Sequence, residues 1–276
     1  MMITIEQLID VVRDASSLMI SDSFEIEQKG GCENIVTSSD MAVQNFLCDK
    51  LSTLVPASGF LCEEKEIHDV AHEYTWIIDP IDGTANYSRG IDQCAICVGL
   101  KQADEMRMGV VYLPRTNELF HAEKGKGAYL NGRRIHVSDR PFANAILCTA
   151  LPVYHKEYAD VCSRIIVETF HQCNDIRRFG ACAPELCYLA MGRCELYFEY
   201  LLSPWDYAAA SLIVTEAGGM ITSAQGDTLC LTRPSGVIAA NSAYSHQRLL
   251  EIVARQTNHK QQKFTFAPQV ISNKND

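Results

Sequence analysis

The stretch WIIDPIDGTANY, residues 76–87, joins a short apolar run to a polar turn. Its apolar residues predict a buried strand, which Asp79-Pro80 should end because proline interrupts a hydrogen-bond ladder. A charged Asp79 at the end of a buried strand is costly unless something offsets its charge. We therefore expect Asp79 and Asp82 to point into one pocket, at the point where this strand stops.

Gly83 and Thr84 complete the turn. Gly83 permits a positive φ angle or a close approach of the backbone, and Thr84 can cap a helix whose free N–H groups favour an anion. Hard oxygen ligands beside an anion site are what Mg²⁺-dependent phosphoryl chemistry requires. By itself, however, Asp-Gly-Thr is equally compatible with an ordinary polar turn.

Two distant segments add further carboxylates, namely Glu63-Glu64 and Trp205-Asp206. Taken alone, Glu63-Glu64 is typical of a solvated charged surface, and Asp206 could simply cap a helix. Together with the turn at residues 79–84 they suggest a cluster of metal-binding carboxylates.

The whole chain has 276 residues, of which 47% are apolar and 21% charged, so it can bury a large core. Lys and Arg number 24 against 34 Asp and Glu, and the net charge of −10 disfavours nucleic acid and membrane partners. The N-terminal segment lacks the pattern of an export signal, and no apolar stretch is long enough to span a membrane. Twelve cysteines therefore indicate free thiols and a cytoplasmic location.

Apolar periodicity predicts the order of the secondary-structure elements. Helices are expected at 5–19, 41–54, 158–170, 184–191, 206–217 and 245–254. Strands are expected at 76–78, 94–100, 108–113, 118–122, 145–149, 194–199 and 236–240, with a hairpin turn at Asn131-Gly132. We expect an α+β half at 1–140, an α/β half at 141–256 and a polar tail at 257–276.

Two short patterns could indicate other metal sites. Cys94 and Cys97 form a C-x-x-C, but a strand would point the two thiols to opposite faces. His68 and His72 have the i, i+4 spacing of a helical zinc site, but their surroundings are too polar for a buried helix. We expect neither pattern to bind a metal.

Two motifs, WIIDPIDGTANY at 76–87 and PWDYAAASLIVTEAGG at 204–219, resemble the signature motifs of the inositol monophosphatase family. Residues 109–138 resemble its connecting hairpins and IVTSSD at 35–40 the segment before its second helix, so the resemblance covers about 5–255. It implies a layered αβαβα sandwich like that of inositol monophosphatase and fructose-1,6-bisphosphatase. The active site would lie between the two halves.

The resemblance also implies two or three Mg²⁺ ions per active site. Glu63, Asp79 and the carbonyl of Ile81 would hold the first ion. Asp79 would bridge to a second ion, which Asp82 and Asp206 complete. A third, weaker site near Glu63 occurs in some members of the family.

Catalytic and substrate-binding roles follow from the same resemblance. Thr84 and Asp40, with Glu63, would orient and deprotonate the attacking water. The substrate would contact Lys29, Asp82, Gly83, Thr84, Ala181, Cys182 and Glu199, the last through hydroxyl groups of a sugar or cyclitol. Cys62 replaces a usual glycine, and Gly180-Ala181-Cys182 replaces Gly-Ser-Ala or Gly-Thr-Ala. The second departure puts the substrate in doubt more than the chemistry.

The implied reaction is hydrolysis of a small polyol or sugar phosphate, with inositol 1-phosphate as the first candidate substrate. Lithium sensitivity and a homodimer are implied as well. Alternative activities are those of a fructose-1,6-bisphosphatase, a histidinol-phosphatase or a nucleotide 3′-phosphatase. A bisphosphate would need a further basic cluster, for which Arg177-Arg178 is a candidate. A regulatory binding protein that keeps the fold without catalysis is the alternative of another class.

Overall fold

The computed structural model describes residues 3–19, 24–31, 34–64 and 68–258. Two mixed sheets alternate with layers of helices, which confirms the expected αβαβα sandwich. The helices are α1 (Ile5–Ser16), α2 (Ser38–Leu54), α3 (Thr84–Tyr87), α4 (Ala159–Phe170), α5 (Cys182–Ala190), α6 (Pro204–Glu216) and α7 (Ala243–Asn258).

The strands form a hairpin and two sheets. The hairpin is β1 (Ile26–Gly31) and β2 (Asn34–Thr37). The first sheet contains β3 (Gly59–Cys62), β4 (His68–Asp69), β5 (Tyr74–Asp82), β6 (Ala95–Gln102), β7 (Glu105–Leu113), β8 (Glu118–Glu123), β9 (Gly127–Leu130) and β10 (Arg133–Ile135), in the order β10-β9-β8-β7-β6-β5-β3-β4. The second contains β11 (Ile146–Thr149), β12 (Asp175–Arg177), β13 (Leu196–Leu202), β14 (Met220–Ser223) and β15 (Ser235–Ala240), in the order β12-β11-β13-β15-β14.

Side-chain alternation along the strands separates three cores. On β5, Trp76 and Ile78 pack toward α1 and α2, whereas Ile77 points to the middle layer of α5 and α6. On β13, Tyr197 faces the same middle layer and Phe198 faces the outer layer of α4 and α7. Both sheets are thus covered on both faces, which explains their nearly continuous apolar strands.

Helix α6 packs directly on the first sheet. Gly99 on β6 and Gly109 on β7 are paired across the ladder, directly beneath this helix. A Cβ atom on Gly109 would lie 2.5 Å from the carbonyl oxygen of Ala209, and one on Gly99 would lie 3.5 Å from the amide nitrogen of Ala209. The absence of a side chain at Gly109 therefore permits this close approach of α6, whereas a Cβ atom at Gly99 would clash with Cε of Met106 at 2.5 Å and make only an ordinary contact with the helix.

The prediction that a strand ends at Asp79-Pro80 is wrong, because β5 continues to Asp82. Its pairing with β6 shifts register between Asp79 and Asp82, and this irregularity takes Pro80 out of the regular ladder. His68 lies in β4, not on a helix, and His72 bonds Asp69 in a turn. The sequence patterns also missed strands β1, β2, β3, β12 and β14.

The other predicted helices and strands are confirmed within a few residues, including the hairpin turn between β9 and β10. Cys94 and Cys97 lie in different cores, as their opposite faces require. The division into halves at residue 140 stays a prediction. Helix α7 extends to Asn258, and residues 259–276 of the expected tail lie outside the described residues. Among the described helices, none has the length and apolar character needed to cross a membrane.

Candidate active site

The two aspartates of β5 lie on either side of its irregular register. The side chain of Asp79 is almost completely buried, and its Oδ1 accepts a 3.0 Å hydrogen bond from the backbone N–H of Ile81. The oxygens of Asp82 accept hydrogen bonds from the N–H groups of Cys182 (3.2 Å) and Ala183 (2.6 Å), at the start of α5. The irregularity of β5 thus presents two acidic side chains at the boundary between the first sheet and the middle helices.

Two further carboxylates come from β3 and α6. The N–H of Glu63, which directly follows β3, donates to the carbonyl of Ile78 at 3.2 Å and so continues the parallel pairing with β5. Asp206 lies in the first turn of α6, where its Oδ2 accepts a 2.7 Å hydrogen bond from the N–H of Ser203. Asp206 therefore completes a capping box whose N-cap is Ser203, and the same position places it near the other carboxylates.

The pKa values show that these groups interact. Burial raises the pKa of Asp79 well above its usual value, and repulsion from Glu63, Asp82 and Asp206 raises it further. Burial also raises the pKa of Asp206, with contributions from Asp82 and Glu63. Burial raises the pKa of Asp82 to about 6, although the N–H groups of Ala183 and Cys182 oppose the shift. A buried group of mutually repelling carboxylates is stabilised by a cation.

The donor set fits Mg²⁺, because carboxylate and carbonyl oxygens are the ligands that this ion prefers. Within the described ranges, however, no three acidic, histidine or cysteine side chains already surround one point as a finished metal site. Glu63, Asp79, Asp82 and Asp206 are nevertheless close enough to repel one another, as the raised pKa values of Asp79 and Asp206 indicate.

Thr84 is the first residue of α3, and its hydroxyl lies 3.2 Å from Oδ1 of Asp40 and 3.0 Å from the carbonyl oxygen of Ile81. The prediction that Thr84 caps this helix is wrong, because Gly83 occupies the capping position with φ of +87°. A side chain on Gly83 would also come within 2.9 Å of the carbonyl oxygen of Gln93. Glycine at this position therefore allows the turn that points the Thr84 hydroxyl at Asp40.

Asp40 is held by the start of α2. The Thr37 N–H donates to Oδ2 of Asp40 at 2.7 Å, and the Thr37 hydroxyl bonds the same oxygen. Burial raises the pKa of Asp40 to about 6, while the hydrogen bonds from Thr37 lower it. A carboxyl group with a pKa near 6 can exchange a proton at physiological pH.

The residues predicted to contact the substrate are grouped around Gly83 and β13. Ala181 lies against Gly83, since a Cβ atom there would be 3.0 Å from that of Ala181. Oε1 of Glu199 accepts a 2.8 Å hydrogen bond from the hydroxyl of Tyr197, and burial raises the pKa of Glu199 to about 7. Cys182 interacts electrostatically with Glu199 and Asp82. Lys29 lies in β1, but its side chain is outside the described part of the structure.

Sequence reasoning missed three residues that support or border this site. The side-chain amide of Gln44 bonds the carbonyl and N–H of Glu64 at 2.6 and 2.9 Å. Nδ2 of Asn86 donates to the carbonyls of Gln93 and Phe179, each at 2.7 Å, and so links the segment before β6 to the segment before α5. Tyr154 is 59% exposed, but partial desolvation of its hydroxyl and the nearby carboxylates raise its pKa to about 12. Only Gln44 had a usable signal, since it lies one helical turn after Asp40.

Comparisons with known proteins identify the family of the chain. The model of the inositol monophosphatase family matches residues 3–261. "Nus factor SuhB" of Vibrio cholerae is 35% identical over 246 residues, covering 88% of this chain and 91% of that protein. The protein of the same name from Escherichia coli K12 is 37% identical over 207 residues, with coverages of 74% and 77%.

Solved structures resemble the whole fold. The extragenic suppressor protein SuhB of Bartonella henselae superposes with a TM-score of 0.83 at 30% identity, covering 90% of this chain and 97% of that one. An IMPase of Thermotoga maritima gives a TM-score of 0.82 at 29% identity, with coverages of 92% and 97%. With its sequence, its layered fold and its carboxylate group all in agreement, the chain belongs to the inositol monophosphatase family.

Proposed function

We propose that this protein is a Mg²⁺-dependent phosphomonoester hydrolase that acts on a small polyol or sugar phosphate, with inositol 1-phosphate as the first substrate to test. The observation that carries the proposal is the group of interacting carboxylates from β3, β5 and α6 beside the Thr84–Asp40 contact. This combination favours catalysis over a binding role alone.

Glu63, Asp79 and the Ile81 carbonyl would hold one Mg²⁺, while Asp79, Asp82 and Asp206 would hold another. A third, weaker site would lie near Glu63. When bound, the ions would neutralise the phosphate, acidify the attacking water and stabilise the leaving alkoxide.

The proton path uses side chains of the chain itself. The hydroxyl of Thr84 donates to Oδ1 of Asp40, which leaves the lone pairs of the Thr84 oxygen available to accept a proton from water. Asp40 remains correctly oriented because Thr37 holds its other oxygen. Asp40 would thus take up the proton through Thr84, and Glu63 would help to orient the water.

The protein would contact both the phosphate group and the sugar or cyclitol of the substrate. Backbone N–H groups of Gly83 and Thr84 would bind phosphate, since the first N–H groups of a helix lack partners within it. Since Tyr197 bonds Oε1 of Glu199, the Oε2 atom would accept hydrogen bonds from substrate hydroxyls. Ala181 and Cys182 would line the pocket beside the sugar or cyclitol, and Lys29 would add positive charge.

Two observations favour alternatives. The positive charge of Arg178 lowers the pKa of Glu199, so it would suit a substrate with a second phosphate, as in a fructose-1,6-bisphosphatase or a nucleotide 3′-phosphatase. Arg177 instead pairs with Asp175 at 2.5 Å. Histidinol phosphate is a further candidate. Curated relatives carry the name Nus factor, which favours a regulatory role as a second candidate function.

The deciding experiment measures phosphate release, with and without Mg²⁺, from inositol phosphates, fructose bisphosphate, histidinol phosphate and adenosine bisphosphate. We expect turnover of at least one of these in Mg²⁺ and none in a chelator. Folded protein that hydrolyses none of them in Mg²⁺ would contradict the proposal and favour the regulatory role. A homodimer and inhibition by lithium are part of the same proposal, and sedimentation and inhibition kinetics test them.

A further inference from the structure

One face of α2 lies beside the segments that follow β3 and β5 and contacts them at successive turns. Asp40 bonds Thr84, and Gln44 bonds the backbone of Glu64. One turn further on, the Sγ atom of Cys48 lies 3.9 Å from the Sγ atom of Cys62. The helix therefore brings two thiols together at the strand that leads into Glu63.

The two thiols differ in exposure. Cys62 is fully buried at the last position of β3, whereas Cys48 is half-buried on α2. A reagent from solution would therefore meet Cys48 first. A disulfide needs the sulfur atoms to approach from 3.9 Å to about 2 Å, a movement that side-chain rotation and a small backbone shift can supply.

We propose that Cys48 and Cys62 form a reversible disulfide that moves Glu63 and weakens the binding of divalent cations. The disulfide stands on the geometry of the thiols alone, and its effect on cations rests on the proposed function. Disulfides of this kind in reducing compartments are usually transient and redox-sensing.

The chemistry requires an oxidant of the hydroperoxide class. The sulfur of Cys48 attacks one peroxide oxygen, the O–O bond breaks, and Cys48 becomes a sulfenic acid with release of one water molecule. The sulfur of Cys62 then displaces the hydroxyl group, which leaves as a second water molecule with the thiol proton. Two thiols and one hydrogen peroxide thus give one disulfide and two waters, and a dithiol reductant reverses the reaction.

The effect on Glu63 follows from its neighbours. The N–H of Glu63 donates to the carbonyl of Ile78, and this bond keeps Glu63 next to Asp79. Drawing Cys62 toward α2 pulls the adjacent Glu63 away from β5 and strains this bond. Gln44 holds Glu64 to α2 already, so the strain falls on Glu63.

The other described cysteines are poorer candidates. Seven of them are buried, including the neighbours Cys148 and Cys194, so peroxide cannot reach them readily. Cys173 and Cys230 are half-buried, but the contacts of their sulfur atoms are with oxygen atoms of Asp175 and Thr232. Cys230→Ser is therefore a matched control, because it removes a half-buried thiol away from β3.

The experiment treats wild type, Cys48→Ser and Cys230→Ser with limiting hydrogen peroxide and maps the disulfides by mass spectrometry. We expect wild type and Cys230→Ser to lose two hydrogen atoms in the peptides that contain Cys48 and Cys62, reversibly with dithiothreitol. Cys48→Ser should not form this cross-link. The absence of this cross-link, or a cross-link to Cys32 instead, would overturn the proposal.

Calorimetry then compares Mg²⁺ binding by the reduced and oxidised proteins. We expect oxidation to weaken binding about tenfold in wild type and Cys230→Ser, and to leave Cys48→Ser unchanged. Equal affinity of reduced and cross-linked wild type would overturn the effect on cations. Reduced protein that binds no Mg²⁺ would instead contradict the proposed function, because the disulfide is detected by mass in either case.

Discussion

The carboxylate of Asp82, at the end of β5, accepts a 2.6 Å hydrogen bond from the backbone N–H of Ala183, 101 residues later in the first turn of α5. The start of a helix favours negative charge, and a second bond from Cys182 adds to this effect. Against these bonds, burial raises the pKa of Asp82 only to about 6, whereas burial and repulsion from Glu63 and other carboxylates raise the pKa of Asp79 well above its usual range. Substitutions at these two aspartates of β5 should therefore change the free energy of unfolding by different amounts.

Asp79→Asn should stabilise the metal-free protein, while Asp82→Asn should be less stable than Asp79→Asn by about 1–3 kcal/mol. Asparagine at 79 relieves repulsion and can still accept the bond from Ile81. At 82 its amide group would face one of two N–H donors and leave that donor unsatisfied. Denaturant unfolding in a chelator measures both variants. Equal stabilities of the two variants would contradict this account.

Mg²⁺ should raise the melting temperature of the wild type, because an ion that binds only the folded state at about 100 times its Kd stabilises it by about 2.7 kcal/mol. Asp79→Asn should lose most of this response and nearly all activity, since Asp79 is the proposed bridge between two ions. Thermal unfolding in Mg²⁺ and in a chelator gives the first result. An Asn variant that retains more than about a tenth of the wild-type kcat would show that Asp79 does not bridge.

At saturating Mg²⁺, kcat/KM should fall as the pH drops through the pKa of Asp40, because Asp40 must be ionised to accept a proton through Thr84. Bound cations should hold this pKa below its metal-free value of about 6. The pH–rate profile of the wild type measures this limb, and a profile in which Asp40→Asn has the same acidic limb as the wild type would remove Asp40 from the proton path.

Stability should depend on Asp40 in the opposite sense. Because burial raises the pKa of folded Asp40 from 3.8 to about 6, its protonation favours the folded state. The contribution of Asp40 to stability is therefore complete below pH 3.8 and is lost as the pH rises through 6. The stability of Asp40→Asn relative to the wild type should thus increase between pH 4 and pH 7. An unchanged difference in unfolding free energy over this range would contradict the assigned burial.

Glu199→Gln should lower kcat/KM for polyol phosphates and leave small aryl phosphates nearly unaffected, because only polyols have hydroxyls to bond. The bond from Tyr197 can persist to the amide oxygen, so folding should be preserved. Kinetics on the two substrate types decide the matter, with the melting temperature as a control. Equal losses on both types would make Glu199 a structural residue.

Much of the fold and of the candidate site could be predicted from short segments of sequence. The rest depends on contacts between residues that are far apart in the chain. The motifs around Asp79 and Asp206 indicated acidic side chains at strand and helix ends, and the fold brings them together. Strand β3 escaped detection because GFLC is too short to show a period. Pro80 suggested that the strand ends there. Strand β5 instead accommodates the proline through an irregular register with β6, and a pairing with another strand cannot be read from the local sequence. The contact from Asp82 to Ala183 joins elements with no local signal between them.

The close approach of α6 to Gly109 has a consequence for tolerance to substitution. Asp206 lies one turn before Ala209 on the same helix, so its position relative to the aspartates of β5 depends on the missing side chain at Gly109. A methyl group added at Gly109 would displace that helix and move Asp206, while Asp79 and Asp82 stay in place on β5. Variants that disturb this contact between α6 and the first sheet should therefore lose their stabilisation by cations at temperatures where they are still folded.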